Sequence, residues 1–451
     1  MVVAKFGGSS LADAEQVKKV LSIVKNDSNK KCIVVSAPGK RHSGDIKVTD
    51  LLIGCANAYI KTGKADAELE AIIERFSSIT EELELGNGII DEIRGDLKGR
   101  LAIRGDMADD EFMDLMKAAG EDNTAKLITA YFNKCGHKSV YIDPKGVGFF
   151  LSEDFGNAQV LDDTYDNLKK LKDIPETIVF PGFFGYTKQG KVITFSRGGS
   201  DITGSILAAA LDADLYENFT DVSSVYAVDP SVVPNPVPII ELTYREMREL
   251  SYAGFNVYHE DALIPVFGKG IPVHIKNTNA PEDKGTAILP EKARTSVPVV
   301  GISAAKGFMS INISKLLMNG EIGFGRRVLH IIEDERVSFE HIPSGIDNIS
   351  VIVNEKFMTH EKEATIVRRI KDELKVDEVS VRRNLAIIML VGEGMLHTIG
   401  TTARASAALA RSNINIEIIN QGASEVSLMF GVDSAAAVEG VRALYKEFFG
   451  R

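Results

Sequence analysis

The chain has 451 residues, of which 44% are hydrophobic and 25% charged, and its formal net charge is −11 at pH 7. This length predicts two or three domains with ordinary globular cores. The acidic balance argues against nucleic acid and anionic membrane surfaces as partners. The three cysteines have no metal-like spacing, no apolar run is long enough to span a bilayer, and the first residues do not resemble a signal peptide. We therefore expect a cytoplasmic protein with reduced thiols that binds neither nucleic acid nor membrane.

The first ten residues, MVVAKFGGSS, predict a short buried strand with Lys5 at its end, then a glycine turn and an amphipathic helix over 12–24. Gly7 and Gly8 allow the backbone to approach a ligand because they carry no Cβ. Backbone N–H groups at a helix start favour an anion, and Lys5 would add a full positive charge. The G-x-x-x-x-G-K spacing of a Walker A loop is absent, and short glycine motifs are often coincidental. A tight turn beside a solvated lysine is therefore the alternative.

Buried strands and helices alternate over the first two thirds of the chain. Strand signals are found in KCIVVSAPG, HKSVYIDP, ETIVFPGFFG, KVITFSRGGSDITGSILAAAL and ADLYENFTDVSSVYAVDP. This alternation predicts a mostly parallel sheet with helices on both faces. The segment 61–116 is charged and lacks strand signal, so we expect a helical insertion there. Ligands of such sheets bind beyond the carboxyl ends of the strands, which is where the glycine turns of this chain fall.

The C-terminal third of the chain is a repeat. The proline-dense stretch DPSVVPNPVPII predicts an extended connection, and a later turn-rich stretch places a domain boundary near Arg294. Beyond it, the segment beginning at Gly323 recurs without gaps as the segment beginning at Gly400, and the same offset maps Glu340 onto Glu417. Each copy predicts a β-α-β-β-α-β unit. A structural cap without a ligand is the alternative to a ligand-binding pair.

The motifs KFGGSS, VVSAPG, AGED, SRGGSD and FTDVSSVYAVDP, together with the C-terminal pair, resemble the aspartate kinase family in order and over nearly the whole chain. The resemblance implies an α/β fold: the open α/β/α sandwich of amino acid kinases over 1–294, followed by two ferredoxin-like ACT domains over 297–376 and 377–451. It also implies ATP-dependent phosphorylation of the side-chain carboxylate of L-aspartate to 4-phospho-L-aspartate, the first step of lysine, threonine and methionine biosynthesis. ATP is then the co-substrate and Mg²⁺ the cofactor.

The resemblance further assigns site residues. It fixes no protein ligand for the metal, although Asp201 would orient Lys5 or help to place the metal. Lys5 and Asp201 are implied to be catalytic, which suits a reaction whose carboxylate acceptor needs positioning and charge neutralisation rather than a general base. The implied nucleotide side consists of Lys5, Gly7, Gly8, Ser9, Thr220, Asp221 and Tyr226. The implied aspartate side consists of Ser36, Thr49, Glu121, Phe183, Arg197, Gly198 and Ser200.

Several of these residues also have a simpler interpretation. Arg197 would clamp the α-carboxylate of aspartate, and its alternative is a solvated arginine at a strand end. Glu121 would bind the α-ammonium, and its alternative is a carboxylate at a helix start, stabilised by the dipole. Thr49 and Asp201 could instead cap the helices that follow them, and Phe183 could be a core residue.

Three residues depart from the family pattern. Asn256 stands where the family usually has lysine, Glu260 where it has proline, and Ser231 where arginine is frequent. The missing cations belong to the nucleotide side, so they put the binding of the ATP phosphates in question. Two alternatives follow: a kinase acting on glutamate or N-acetylglutamate, and a catalytically inactive ligand sensor. The pair of Glu121 and Arg197 favours a free α-amino acid, and the tandem ACT pair favours aspartate.

The repeat predicts feedback inhibition by lysine, alone or with threonine. The first copy offers Phe324 and Gly325 at a strand-to-helix turn, where N–H groups can bind an α-carboxylate. It also offers Ser338 and Glu340 for a cationic amine. The second copy has Asn415 in place of Ser338, so we expect the effector in the first copy. ACT domains of this family pair edge to edge, which implies a homodimer or homotetramer formed through this region.

Overall fold

The structure is a computed structural model and describes residues 1–196, 198–252, 254–255, 258, 260–293, 297–422 and 424–450. The chain divides into two compact units. Unit 1 comprises Met1–Val225, Pro238–Arg248 and Asn256–Lys292, and unit 2 comprises Tyr226–Val237, Glu249–Phe255 and Ala293–Arg451.

This division differs from the predicted domain 1–294, because two short segments of that range pack with the C-terminal part of the chain. Just before the proline-rich connection, the Ala227 carbonyl accepts a hydrogen bond from the Ile302 N–H at 2.7 Å. The Val237 N–H donates to the Tyr445 hydroxyl at 2.9 Å. The connection is therefore hydrogen-bonded within unit 2.

Strands and helices alternate as predicted before residue 292. The strands are β1 Val2–Phe6, β2 Lys30–Val35, β3 Ser139–Tyr141, β4 Thr177–Pro181, β5 Phe184–Tyr186, β6 Val192–Thr194, β7 Leu215–Thr220, β8 Val225–Tyr226, β9 Pro238–Ile239, β10 Glu241–Thr243, β11 Val273–Asn277 and β12 Thr286–Leu289. The helices are α1 Ala14–Lys25, α2 Val48–Thr62, α3 Asp66–Glu82, α4 Asn87–Ala102, α5 Asp109–Lys134, α6 Asp162–Leu168, α7 Gly199–Ala210, α8 Tyr244–Tyr252 and α9 Ile264–Phe267.

Among the described residues of unit 1, eight strands form one sheet in the order β10-β12-β11-β7-β1-β2-β4-β3. Neighbouring strands run parallel except for β11 and β12, so the predicted, mostly parallel sheet is confirmed. Strand β1 is central, and its last residue, Phe6, pairs with Val35 of β2 and Phe219 of β7. The carboxyl ends of three strands therefore meet at one place.

Strand β1 separates two layers of helices because successive side chains point to opposite faces of a sheet. Ala4 and Phe6 lie in a core shared with residues of α1, α2, α3 and α5. Lys5 points to the other face, where α7 packs against β1. Lys5 lies inside the strand and is only 8% exposed, so the alternative of a solvated lysine is wrong.

Two helical predictions can be compared directly with the structure. The insertion predicted over 61–116 is confirmed as α3, α4 and the first part of α5. The helix predicted over 12–24 is α1, which begins only at Ala14 because Asp13 caps it, accepting a hydrogen bond from the Gln16 N–H at 2.9 Å. A 3₁₀ turn, Gly8–Leu11, lies between β1 and α1. The backbone donors beside the glycines therefore belong to this turn and not to an α-helix.

Within the described ranges, no helix combines the length and the apolar character that crossing a membrane requires. The cysteines are free thiols, with Cys32 and Cys55 buried and Cys135 half-buried. Burial raises the pKa of the Cys32 thiol to about 12, so this thiol is inert at neutral pH.

Unit 2 is built on an antiparallel sheet with the order β14-β15-β13-β16-β18-β17. Its strands are β13 Gly301–Ser314, β14 Phe339–His341, β15 Asn348–Asn354, β16 Glu378–Val391, β17 Ile418–Gln421 and β18 Ser427–Asp433. Its helices are α10 Phe324–Asp334, α11 His360–Leu374, α12 Thr401–Arg411 and α13 Ala437–Phe449. Helices α10 and α12 each have 11 residues and each follow a glycine in the left-handed region, Gly323 at φ 76° and Gly400 at φ 88°. The predicted repeat is therefore visible as structure.

The two copies exchange a strand. Strand β13 pairs with β15 over 308–314 but with β16 along nearly its whole length. Strand β16 pairs with β18 over 385–391. The first half of β13 thus serves as the fourth strand of the second copy, and the first half of β16 serves as the fourth strand of the first. The predicted limits 297–376 and 377–451 assign all of β13 to the first copy and all of β16 to the second, and so they miss the exchange. A repeat in the sequence reveals consecutive elements but not which strands pair.

Candidate active site

A cleft of about 780 Å³ lies in unit 1, where β1, β2 and β4 end and α7 begins. Its lining includes the predicted residues Lys5, Ser36, Thr49, Glu121, Phe183, Gly198, Ser200 and Asp201, together with Lys47, Asp50, Lys117 and Gly156, which the sequence analysis did not single out. The structure thus brings together both predicted catalytic residues and every described residue of the predicted aspartate side. Arg197 lies outside the described residues.

A buried ion pair forms one part of the lining of the cleft. The Lys5 Nζ lies 2.6 Å from Asp201 Oδ1, and both side chains are largely buried. Asn218 on β7 completes a triangle, because its amide donates to Asp201 Oδ1 at 2.8 Å and its carbonyl oxygen accepts from Lys5 at 3.4 Å. A buried charge pair is stable only when such additional hydrogen bonds satisfy it. Asn218 is a part of this site that sequence reasoning missed.

Glu121 also lines the cleft, and it lies in the middle of α5 and not at a helix start, so that alternative is wrong. Glu121 is 5% exposed, and within the described part of the chain its Oε2 has no hydrogen-bond partner. Burial raises the pKa of its carboxyl to about 8, although the Ala37 N–H and the charges of Lys5 and Lys117 act in the opposite direction. A buried carboxylate oxygen without a donor is costly. The surroundings of Glu121 are therefore suited to a cationic ligand.

Phe183 forms a wall of the cleft in a strained conformation, with φ at 74°. Two hydrogen bonds hold it there. Its N–H donates to Thr203 Oγ1 at 3.0 Å, and its carbonyl accepts from the Phe195 N–H at 2.9 Å. A Cβ on Gly199 would lie 2.6 Å from the Phe183 ring, so this position requires glycine. Backbone strain of this kind is characteristic of functional sites.

The alternatives of helix caps for Thr49 and Asp201 are wrong. Thr49 is the second residue of α2, whose cap position is Lys47. Asp201 lies in the first turn of α7, whose cap position is Gly198. Neither side chain is used as a helix cap, and both line the cleft.

The glycines after β1 are explained by close packing. Gly7 has an ordinary φ of −72°, but a Cβ on Gly8 would lie 3.0 Å from the Ala37 carbonyl. A Cβ on Gly39 would lie 2.5 Å from the Gly8 carbonyl carbon. These contacts bring the turn after β1 against the loop after β2.

The predicted nucleotide residues other than Lys5 lie outside the lining of the cleft. Gly7, Gly8 and Ser9 follow β1, Thr220 ends the neighbouring strand β7, and Asp221 comes next and is exposed. Tyr226 ends β8 and belongs to unit 2, as does the exposed Ser231. Asn256 and the Glu260 side chain are not described.

The predicted effector residues lie in the first copy of unit 2. The Phe324 side chain is 3% exposed and packs in the core of that copy, so only its backbone N–H, the group that the prediction invokes, can face a ligand. Gly325 lies in the first turn of α10 with open space around it. Ser338 is exposed, and Glu340 is half-buried and accepts a hydrogen bond from the Tyr252 hydroxyl.

The equivalent carboxylate of the second copy has a different partner. Glu417 forms an ion pair with Arg382 of β16. The residue that corresponds to Arg382 in the first copy is Ala305, which carries no charge. The two copies therefore differ in the charge that surrounds this carboxylate.

Comparison with known proteins agrees with this geometry. The amino acid kinase family model matches residues 1–277, and an ACT domain model matches 388–448. The chain is 56% identical to aspartokinase 3 of Bacillus subtilis over 450 residues, which cover 100% of this chain and 99% of the relative. The solved aspartate kinase of Clostridium acetobutylicum has a TM-score of 0.86 and 38% identity, covering 99% and 100% of the two chains. Aspartokinase III of Escherichia coli, solved with aspartate and ADP, shares the fold at a TM-score of 0.82, 24% identity and full coverage of both chains.

The sheet, the cleft at its strand ends and the family model together define an amino acid kinase with a C-terminal ACT region. Within that class, the chain belongs to the aspartokinases, which are kinases with a carboxyl group as acceptor.

Proposed function

We propose that the chain transfers the γ-phosphoryl group of ATP to the side-chain carboxylate of L-aspartate, the first step of lysine, threonine and methionine biosynthesis in the cytoplasm. The observation that carries the proposal is that an acidic and a basic side chain line the same cleft. A buried carboxylate without a donor, Glu121, lines it together with a satisfied cation, Lys5. Free aspartate supplies an ammonium for the first and an anion for the second.

On the aspartate side, we assign the α-ammonium to Glu121 and the α-carboxylate to Arg197, whose guanidinium suits a bidentate contact. Ser36, Thr49, Gly198 and Ser200 supply short polar groups, and Phe183 limits the length of the side chain. Support comes from the lining of the cleft, which contains every described member of this set.

On the phosphoryl side, an aspartate carboxylate oxygen attacks the γ-phosphorus, the bond from that phosphorus to the bridging oxygen breaks, and ADP leaves with the electron pair. No proton moves, so no general base is needed. Lys5 neutralises charge on the transferring group, and Asp201 with Asn218 holds the Lys5 ammonium in place. The turn Gly7–Gly8–Ser9, with Thr220 and Asp221, is assigned to the nucleotide.

Mg²⁺ bound with ATP would neutralise the phosphates further. Mg²⁺ retains water and phosphate oxygens and needs only one or two carboxylates. Asp201 lines the cleft beside Lys5 and would help to place the metal. Within the described ranges, no group of three or more His, Cys, Asp or Glu could hold a metal alone.

A hydroxamate assay with ATP tests the reaction, because hydroxylamine traps acyl phosphates. We expect signal with L-aspartate and none with L-glutamate or N-acetylglutamate. Signal with glutamate alone would overturn the assignment of substrate. Binding of aspartate and ATP without any hydroxamate would instead support a ligand sensor.

We further propose that lysine, alone or with threonine, inhibits the enzyme through the first copy of unit 2. Glu340 would receive the side-chain amine, and the open first turn of α10 would receive the α-carboxylate. Glu417 is a poorer acceptor because Arg382 already neutralises it. Inhibition requires that lysine bind two conformational states with unequal affinity. Escherichia coli aspartokinase III has been solved in complex with lysine and aspartate.

Calorimetry on the full chain tests this site, with Glu417 as the matched control for Glu340. Lysine binding should vanish in Glu340→Ala and persist in Glu417→Ala. The reverse result would move the site to the second copy, and absence of lysine binding to the wild type, with or without threonine, would remove the feedback proposal.

A homodimer or homotetramer formed through unit 2 completes the proposal. Strands β14 and β17 are the edges of its sheet, and Ile322 and Ile399, at equivalent positions of the repeat, are 96% and 102% exposed. Contact with a second copy would remove these two apolar side chains from water. Light scattering should give two or four times the chain mass of 49.0 kDa; a monomer would contradict the proposal.

A further inference from the structure

A second lysine stands beside Glu121. Lys117 lies one turn earlier on α5, and residues four apart share a helix face. Both residues line the cleft. The Lys117 Nζ lies 5.8 Å from the centroid of the Phe183 ring, which is another part of the lining. The Lys117 side chain is 15% exposed, so its charge acts in a largely desolvated place.

Lys117 is held in position by Asp114. Its Nζ lies 2.6 Å from Asp114 Oδ1 and donates to Thr194 Oγ1 at 3.1 Å. Asp114 also accepts hydrogen bonds of 2.8 Å from the Thr194 N–H, the Thr194 hydroxyl and the Gly156 N–H. These three neutral donors stabilise the Asp114 carboxylate, so the position of the Lys117 ammonium is fixed by a rigid network.

One N–H group of the Lys117 ammonium has no acceptor among the described residues. An ammonium has three N–H groups, and the described part of the chain supplies acceptors for two of them, on Asp114 and Thr194. Glu121 Oε2 has no donor among the same residues. The cleft therefore presents a spare donor on a cation and a spare acceptor on an anion, one helical turn apart.

We propose that Lys117 is a specificity-determining residue that binds the α-carboxylate of the substrate while Glu121 binds its α-ammonium. The proposal rests on the proposed function. An α-amino acid carries its two opposite charges on one carbon, and α5 presents two complementary charges on one face. A carboxylate has several lone-pair sites, so Lys117 can share it with Arg197. The side-chain carboxylate of the substrate is then available to react beside Lys5.

The test compares L-aspartate with L-isoasparagine, in which an uncharged carboxamide replaces the α-carboxylate. Affinities are measured by calorimetry and, for aspartate, KM and kcat by the hydroxamate assay. Lys117→Met should weaken aspartate binding and raise its KM by roughly 10- to 100-fold, which is typical for a lost charge-assisted hydrogen bond. The variant should change kcat little, and the preference for aspartate over isoasparagine should shrink by the same factor. Lys117→Arg should restore part of the preference for aspartate.

Lys126 is the matched control. It lies on the same helix and pairs with Asp122 at 3.4 Å, but it does not line the cleft. Lys126→Met should leave the affinity for aspartate unchanged. If Lys117→Met weakens both ligands equally, or lowers only the melting temperature, Lys117 serves Asp114 alone and the proposal is overturned. A wild type that binds aspartate but forms no hydroxamate would contradict the proposed function, whereas the calorimetric comparison would still decide the role of Lys117.

Discussion

Two parts of the cleft in unit 1 differ in how their charged groups are satisfied. In the first part, Lys5, Asp201 and Asn218 satisfy one another. In the second, Glu121 keeps a buried carboxylate oxygen without a donor among the described residues. The first arrangement is complete before any ligand arrives, and the second is complete only when a cation enters.

This difference shows how binding and catalysis can be divided within one site. A satisfied charge that is already in place costs no reorganisation when new charge develops in the transition state. An unsatisfied charge gains its partner as soon as the substrate binds, so it acts on the ground state as well. We therefore expect substitutions around Lys5 to alter kcat and substitutions around Glu121 to alter KM.

The largest expected effect is that of Lys5→Ala. It should lower kcat by about 10²–10³, as is typical when one preorganised charge contact to the transition state is removed, and should change the KM for aspartate much less. Steady-state hydroxamate kinetics measure both constants. Because the variant leaves Asp201 without its cation, a melting curve must show that the fold persists. A kcat within a few-fold of the wild type, in a folded variant, would remove Lys5 from the transition state.

Arg197→Ala should have the next largest effect, on the other constant. Loss of a bidentate contact to the α-carboxylate should raise the KM for aspartate by roughly 10- to 100-fold while kcat falls little. The KM for ATP is the internal control and should not move. Equal effects of Arg197→Ala and Lys5→Ala on the same constant would contradict the division between binding residues and catalytic residues.

The pH dependence of aspartate binding should follow Glu121. Its pKa is raised to about 8 by burial, and only its ionised form attracts an ammonium. The kcat/KM for aspartate should therefore fall as the pH drops below about 8, approaching about tenfold per pH unit. In Glu121→Gln this limb should be absent, at a lower plateau. A wild-type profile that is flat in this range would contradict the assignment.

The Glu121 carboxyl should also make the stability of the ligand-free protein depend on pH. Since the folded-state pKa lies above the ordinary value of 4.5, the group stabilises the fold below about pH 4.5 and that contribution is lost as the pH rises towards 8. Glu121→Gln has no such loss. Its melting temperature should exceed that of the wild type at alkaline pH, and the difference should narrow in acid.

The smallest expected effect concerns the nucleotide side. The resemblance to the aspartate kinase family implies a lysine where this chain has Asn256, so Asn256→Lys should lower the KM for ATP a few-fold if the new ammonium reaches the phosphates. Raising the salt concentration should weaken the gain. An unchanged KM would mean that other residues have replaced the missing cation.

Much of the site could be predicted because its residues stand at the ends of recognisable elements. Ser36 follows β2, Phe183 follows β4, and Gly198 begins the turn into α7, and all three line the cleft. Lys117 and Asn218 were not found. Lys117 lies in a long helix that reads as an ordinary charged segment, and only the i to i+4 spacing to Glu121 could have indicated it. Asn218 lies within a buried strand, where an amide gives no signal until its partners are known.

The sequence by itself determined the order of strands and helices, the helical insertion and the repeat, because periodicity, turns and glycines act over a few residues. Only the tertiary structure decided what each charged or apolar group faces. It turned Lys5 inward onto Asp201, buried Glu121 in mid-helix, placed Phe324 in a core, and gave each regulatory copy a strand from outside its own segment. The physical reason is the same in each case. Burial, strand pairing and the satisfaction of charge depend on groups that are distant in sequence, and no local pattern encodes them.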